Sequence, residues 1–312
     1  MRGPKGRRAE GPEGTAIREG QTFLGESPFI KWANFVKLPH TVFALPFAIV
    51  GVVAASYRAL VSWTMVLWVV IAFTAARFAA MTFNRLVDRK VDAENPRTRM
   101  REIPRGVISP GEAATAVAVS AGVFILAASR LNVLCLALSP VALGWVLFYS
   151  YTKRFTAWSH LVLGLGLGIA PVGGYLAVAG HWPSPWWGPV ALAFAVMSWV
   201  AGFDVLYALQ DLDFDRRTGL HSIPAALGAD RAVQVARALH VLCVGFLLLA
   251  GVALSPTAGW MVGVGAVGAL LVWEHRLVHP NDLSRLDAAF FMMNGVISIL
   301  FCTIVLVERF VT

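Results

Sequence analysis

The chain has 312 residues, of which 57% are hydrophobic and only 14% are charged. Soluble domains carry about 25% charged residues, so this composition excludes an ordinary soluble protein and indicates a polytopic membrane protein. The formal net charge of +8 would suit nucleic acid, but membrane topology explains it better in so apolar a chain, and we expect no nucleic-acid partner. Each of the three cysteines lies within an apolar run, so we predict neither a disulfide nor a zinc site.

The first 28 residues differ from the rest of the chain. They mix Gly, Pro and charges of both signs with almost no apolar periodicity, which predicts a disordered tail. We expect no cleaved signal peptide, because no short apolar segment with a small-residue cleavage site precedes the body. Residues 29–37 are typical of a short interfacial helix that leads into the membrane.

Nine apolar runs follow, each close to the ~20 residues that cross the hydrocarbon core of a bilayer. They predict an all-α fold, with nine transmembrane helices bundled around a central cavity under a cytoplasmic cap of loops. We treat residues 29–312 as this single domain. The runs cover residues 38–57, 63–83, 111–129, 132–150, 159–179, 186–207, 233–254, 257–274 and 286–308.

Lys and Arg are distributed very unevenly between the two ends of these runs. With the amino terminus inside, 22 of the 26 lie in cytoplasmic segments, three lie on the opposite side and Arg77 lies within a span. Because Lys and Arg concentrate in cytoplasmic connections, we predict a multi-pass protein of the cell (inner) membrane with a cytoplasmic amino terminus. A site at the cytoplasmic helix ends would open to that side.

The second run ends in a stretch of polar residues spaced by four. Asn84, Asp88 and Asp92 would lie within about 80° of one another on a continuous helix. Arg77 lies two turns deeper on nearly the same face, roughly 10.5 Å away along the axis. An ionisable group within a span costs about 2.5–3.5 kcal/mol on insertion scales, so this arrangement needs a reason.

The sixth run ends in a similar way. Asp204, Asp211 and Asp215 would lie within about 40° of each other on a helix, with Tyr207 on the same side. Asp213 lies about 180° from Asp204 and is expected to be a solvated bystander. The two acidic helix ends are far apart in sequence but on the same predicted side of the membrane.

Carboxylate and amide oxygens without cysteine or neighbouring histidine suit a hard cation, Mg²⁺ above zinc or copper. Mg²⁺ commonly bridges carboxylates to substrate phosphates, and Lys153 and Arg154 are available to neutralise phosphate charge. The alternative is that the acidic residues simply face water at helix ends and that the cations reflect positive-inside bias. A membrane-embedded diphosphate site would suggest a lipid diphosphate substrate.

These motifs resemble those of a known family. The pattern is Arg77…Asn84-x3-Asp88-x3-Asp92 followed by Asp204-x2-Tyr207-x3-Asp211-x3-Asp215, with supporting stretches at 37–46, 98–106 and 151–154. It is similar to the UbiA superfamily of intramembrane prenyltransferases, above all to the 4-hydroxybenzoate polyprenyltransferase-like branch. The resemblance implies transfer of a polyprenyl group from a polyprenyl diphosphate to the ring of an aromatic carboxylic acid, by Mg²⁺-assisted ionisation and electrophilic alkylation, in ubiquinone or menaquinone biosynthesis.

The resemblance also implies residue roles. Metal binding falls to Asn84, Asp88, Asp92, Asp211 and Asp215. The candidate catalytic residues are Asp88, Asp211, Lys153 and Asp204, and the candidate substrate-binding residues are Arg77, Asn84, Lys153, Arg154, Tyr207 and Asn294. For Asn294 the first interpretation is an interhelical hydrogen bond, and for Arg77 the alternative is a structural ion pair with Asp204 or Asp287.

Two questions stay open at this point. The family's first motif often begins Asn-Asp, whereas this chain has Asn84-Arg85, so Arg85 is either a phosphate contact or a solvated residue. The acceptor could be a benzoate, a naphthoate, a haem or chlorin, or a sugar phosphate, and a cation-coupled transporter is the rival from another class. Against a transporter, the acidic groups lie at helix ends and not near the midplane.

Overall fold

The structure, a computed structural model, describes residues 27–37, 39–254, 257–278 and 293–311. Within this part of the chain all regular elements are helices, and eight of them are long and apolar enough to cross a membrane. The all-α membrane architecture predicted from composition is therefore confirmed. Residues 1–26 of the predicted tail and residues 286–292 of the last predicted run lie outside the described residues.

The long helices follow the nine apolar runs in order. They are α2 (Pro39–Ser56), α3 (Trp63–Val87), α5 (Pro110–Leu131), α6 (Val133–Thr152), α7 (Ser159–Ala179), α8 (Trp187–Tyr207), α11 (Ala229–Leu254), α12 (Ala258–Leu277) and α13 (Asn294–Val311). The apolar part of α2, Ala44–Ser56, is shorter than the other eight. Four short helices complete the set: α1 (Pro28–Phe35), α4 (Arg89–Glu94), α9 (Leu212–Thr218) and α10 (Ile223–Leu227).

Short polar caps begin several helices. The side chains of Ser109 and Glu112 form a reciprocal capping box at the start of α5, which satisfies backbone N–H groups that have no partner inside the helix. Asn132 alone separates α5 from α6, and its side chain accepts a hydrogen bond from the Cys135 amide at 2.9 Å. A one-residue connection thus joins α5 and α6.

Glycines let α7 pack against two neighbours at backbone distance. A Cβ built on Gly174 would lie 2.1 Å from the carbonyl oxygen of Ala48 in α2, and one built on Gly164 would lie 2.3 Å from that of Met197 in α8. Real Cβ atoms do not approach so closely, so these positions require glycine. Helix α7 therefore lies between α2 and α8, and this arrangement fixes where the polar end of α8 stands.

Both acidic motifs depart from the continuous helices that were assumed for them. Helix α3 ends at Val87, Asp88 lies at the junction, and α4 begins at Arg89. In the second motif a 3₁₀ turn, Ala208–Asp211, separates α8 from α9. A 3₁₀ turn has 3.0 residues per turn instead of 3.6, so the predicted stacking of Asp204 with Asp211 and Asp215 on one straight face was wrong.

Candidate active site

A cavity of about 1150 Å³ occupies the interior of the bundle. It is bounded by α1–α3, by α5–α8 and by part of the 95–109 connection, and Asn294 of α13 also reaches it. Five of the predicted site residues line it: Arg77, Asn84, Asp204, Tyr207 and Asn294. The carboxylates of the two motifs other than Asp204 are not among the lining side chains, and neither are Lys153 and Arg154.

The acidic residues instead form a layer of ion pairs at one end of the bundle, which we call the acidic end. Asp88 accepts a hydrogen bond from the Asn84 amide at 2.9 Å and pairs with Arg154 at 2.8 Å. Burial raises the pKa of the Asp88 carboxyl, although the charge and the hydrogen bond of Arg154 oppose this shift. Arg154 therefore comes from the loop after α6 to neutralise the end of α3.

Asp211 is held by three residues. Arg97 donates two hydrogen bonds to its carboxylate, through Nε at 2.9 Å and through Nη2, and Asn95 donates a third at 3.1 Å. Arg97 also donates to the hydroxyl of Tyr207 at 3.2 Å. Burial alone would lower the pKa of Arg97, but the hydrogen bonds and charge of Asp211 outweigh burial and raise it. The two acidic motifs are thus joined directly, because Arg97 follows the first motif and Asp211 belongs to the second.

The remaining two carboxylates have cationic neighbours as well. Asp92 accepts from Arg101 at 2.8 and 2.9 Å. Asp215 is 2% exposed, the Lys153 amine lies 3.9 Å from its Oδ2 atom, and this oxygen has no hydrogen-bond partner among the described residues. Arg97 and Arg101 also line the cavity, so they stand between the cavity and the carboxylates that they neutralise.

This donor set is compatible with Mg²⁺. It consists of carboxylate and amide oxygens, the ligands that Mg²⁺ prefers, and it includes the buried Asp215 oxygen that lacks a partner. In the described part of the chain no three His, Cys, Asp or Glu side chains are gathered closely enough to form a ready-made metal site. Asp88, Asp92 and Asp211 are instead each paired with an arginine.

Arg77 lies deeper in the cavity wall, without an ion pair or hydrogen bond to any described residue. Its alternative pair with Asp204 is not formed, because Asp204 pairs with His160 at 2.7 Å. Asp287, the other proposed partner, lies outside the described residues. Asn294 accepts a hydrogen bond from the indole of Trp199 at 2.9 Å, which joins α8 to α13.

Arg85 is not a solvated residue. It is 4% exposed, it donates to Glu102 at 2.6 Å, and its guanidinium lies 5.1 Å from the centre of the Phe35 ring. These contacts fasten the 95–109 connection and α1 to the end of α3. Of the two alternatives left open for Arg85, the solvated residue was therefore wrong, because the connection folds back over this side chain.

Four residues of the site were missed in the sequence: Asn95, Arg97, Arg101 and His160. Asn95 and Arg97 directly follow the first acidic motif, and an arginine so close to a proposed diphosphate site was a usable signal. His160 stands alone among apolar residues at the start of α7, and no spacing pattern connects it with Asp204.

Comparison with known protein families shows which family the chain belongs to. The model of the UbiA prenyltransferase family matches residues 44–296. The chain belongs to the UbiA prenyltransferase family.

Its relatives in this family are about 30% identical to it over roughly 70% of the chain. It is 30% identical over 238 residues to the 4-hydroxybenzoate octaprenyltransferase of Sodalis glossinidius, covering 74% of this chain and 78% of the relative. It is 30% identical over 215 residues to the protein of that name from Pseudomonas syringae pv. syringae, covering 69% and 71%.

Solved UbiA structures share its fold. The apo structure of a UbiA homologue from Aeropyrum pernix K1 superposes with a TM-score of 0.79 at 31% identity, covering 86% of this chain and 98% of the other. A UbiA homologue from Archaeoglobus fulgidus bound to DMAPP and Mg²⁺ gives a TM-score of 0.73 at 18% identity, covering 90% and 100%.

The pair between Arg97 and Asp211 generates a prediction. We expect Arg97→Ala to lower the rate of prenyl transfer about tenfold or more, because the change leaves Asp211 buried without its cation and removes a cation from the cavity wall. Arg99→Ala is the matched control, since Arg99 is exposed two residues away. The rate is measured with purified membranes and normalised to the amount of inserted protein. Equal rates for the two variants would contradict a role for this pair.

Proposed function

We propose that this UbiA-family protein transfers a polyprenyl group from an allylic polyprenyl diphosphate to the ring of an aromatic carboxylic acid. The observation that carries the proposal is one cavity that is lined both by a cationic guanidinium, Arg77, and by Arg97 and Arg101 of the acidic end. The names of the relatives, 4-hydroxybenzoate octaprenyltransferases, support a 4-hydroxybenzoate-like acceptor. A dihydroxynaphthoate fits the same chemistry.

The diphosphate end of the substrate is assigned to the acidic end. Asn84, Asp88, Asp92, Asp211 and Asp215 would hold Mg²⁺, which supplies positive charge against the diphosphate as the allylic C–O bond breaks. Arg97, Arg101, Lys153 and Arg154 lie beside these carboxylates. Cations fixed at this position stabilise the negative charge that develops on the leaving diphosphate.

The ring of the acceptor is assigned to the deeper cavity. Arg77 would bind its carboxylate in bidentate fashion, because the planar guanidinium matches a carboxylate. Asp204 would accept a hydrogen bond from the ring hydroxyl, which makes the ring a better nucleophile. The ring carbon then forms the new C–C bond and loses its proton, while the diphosphate leaves with the electron pair of the broken C–O bond. Apolar walls keep water from the allylic cation.

The acidic residues provide the first test of this function. We expect Asp88→Asn and Asp211→Asn to abolish transfer, since each substitution replaces a charged carboxylate ligand by a neutral and weaker amide ligand without changing the size of the side chain. Asp213→Asn should leave transfer unchanged, because Asp213 is exposed. EDTA should stop the wild-type reaction, and excess Mg²⁺ should restore it. Full turnover in EDTA, or in either of the first two variants, would refute the shared metal site.

Arg77 provides a test of the acceptor. We expect Arg77→Lys to raise the apparent KM for the aromatic acid about tenfold or more, because lysine cannot reproduce a bidentate contact. The KM for polyprenyl diphosphate should hardly change. Arg130→Lys is the control, since Arg130 is exposed at the far end of α5. An equal rise of both KM values would make Arg77 a structural residue.

We further propose that the acidic end faces the cytoplasm of a bacterial cell with this protein in its inner membrane, as the Lys and Arg distribution favours. In a variant without Cys135, Cys243 and Cys302, a single cysteine at exposed Ala93 should react with an impermeant maleimide only after the membrane is opened. One at Leu60, which is 95% exposed, should react in intact cells. The reverse labelling pattern would show that the topology is opposite to the one proposed.

A further inference from the structure

His160 is a buried histidine in the first turn of α7 that contacts the cavity only through another residue. Its side chain is 0% exposed, and its Nδ1 atom lies 2.7 Å from Oδ2 of Asp204. Many buried histidines are simply satisfied parts of a core. This one differs because its partner faces the cavity, where 18% of the Asp204 side chain is exposed.

The other ring nitrogen determines the protonation state of His160. The backbone amide of Ile223, the first residue of α10, donates to Nε2 at 3.3 Å. A backbone N–H can only donate, so Nε2 must be the unprotonated nitrogen. The proton of the neutral ring is then on Nδ1, and Nδ1 donates to Asp204.

Asp204 has a neutral partner, unlike the carboxylates of the two motifs that are paired with arginine. Asp88, Asp92 and Asp211 are each paired with an arginine, which cancels their charge. A neutral imidazole orients a carboxylate and stabilises its charged form by a hydrogen bond, but does not cancel its charge. Asp204 therefore keeps a negative charge that is directed towards the cavity.

We propose that His160 is a positioning residue that holds Asp204 as an oriented carboxylate for the hydroxyl of the aromatic acceptor. The proposal rests on the proposed function and extends it to a residue that touches no substrate. His160 also connects Asp204 with the segment after the second acidic motif, because the Ile223 amide holds the imidazole ring from the opposite side.

Two isosteres separate the roles of the ring nitrogens. The amide nitrogen of asparagine can stand where Nδ1 stands, whereas glutamine reaches the position of Nε2. We expect His160→Gln to lower kcat for prenyl transfer about tenfold or more, with little change in the KM for polyprenyl diphosphate. His160→Asn should recover most of the rate, and His181→Gln, at an exposed histidine, should match the wild type. Equal losses in the Gln and Asn variants would overturn the positioning role.

Two further measurements distinguish a loss of the positioning role from a folding defect and from a failure of the proposed function. Hydrolysis of polyprenyl diphosphate without acceptor should persist in His160→Gln, and its loss together with transfer would make His160 a structural residue. Nitrogen-15 NMR of labelled histidine should show a neutral Nδ1–H ring that changes in Asp204→Asn, and an Nε2–H or doubly protonated ring would overturn the pair. If the wild type transfers to no aromatic acid, the proposed function fails, and the NMR result still decides whether the pair exists.

Discussion

The structure depends above all on the pairing of carboxylates with arginines at one end of an apolar bundle. A charge next to hydrocarbon is expensive unless it has a partner. Asp88, Asp92 and Asp211 take theirs from outside the helices, namely Arg154, Arg101 and Arg97. Each pair therefore fastens a connection to a helix end, and the pair of Arg97 with Asp211 spans 114 residues of sequence. The contacts that neutralise these charges are therefore also the contacts that hold the connections in place.

Packing of α7 leaves space for the cavity on one side of the bundle. Gly164 and Gly168, four residues apart, bring α7 to backbone contact with α8. Gly173, by contrast, has open space around it and lines the cavity. Glycine thus allows close packing against α8 on one face of α7 and leaves space for the cavity on another face. Because α8 is held tightly against α7, the side chain of Asp204 stands at a fixed depth in the cavity wall.

Local patterns in the sequence predicted most of the fold and only part of the site. Apolar runs of membrane length and spacings of four residues sufficed to place the helices and the acidic motifs. The motifs were drawn as straight helices, and the break at Asp88 and the 3₁₀ turn before Asp211 could not be foreseen from a helical wheel. Arg97 and His160 were missed because their partners, Asp211 and Asp204, lie 114 and 44 residues away. Pairing over such distances follows from tertiary packing, which periodicity does not describe.

Two groups in the cavity wall, the cation Arg77 and the anion Asp204, carry charges that are not cancelled by described neighbours. Arg77 has no ion pair there, and Asp204 is paired with a neutral histidine. Both charges face a largely apolar space, where unpaired ions are costly, so a ligand that satisfies both gains most from binding. An aromatic ring with a carboxylate on one side and a hydroxyl on another has this pattern: in the proposed function the carboxylate would pair with Arg77, and the hydroxyl would donate to Asp204. A plain polyprenyl chain has no group that would pair with either charge, and in the proposed function its diphosphate would bind at the arginine-paired acidic end.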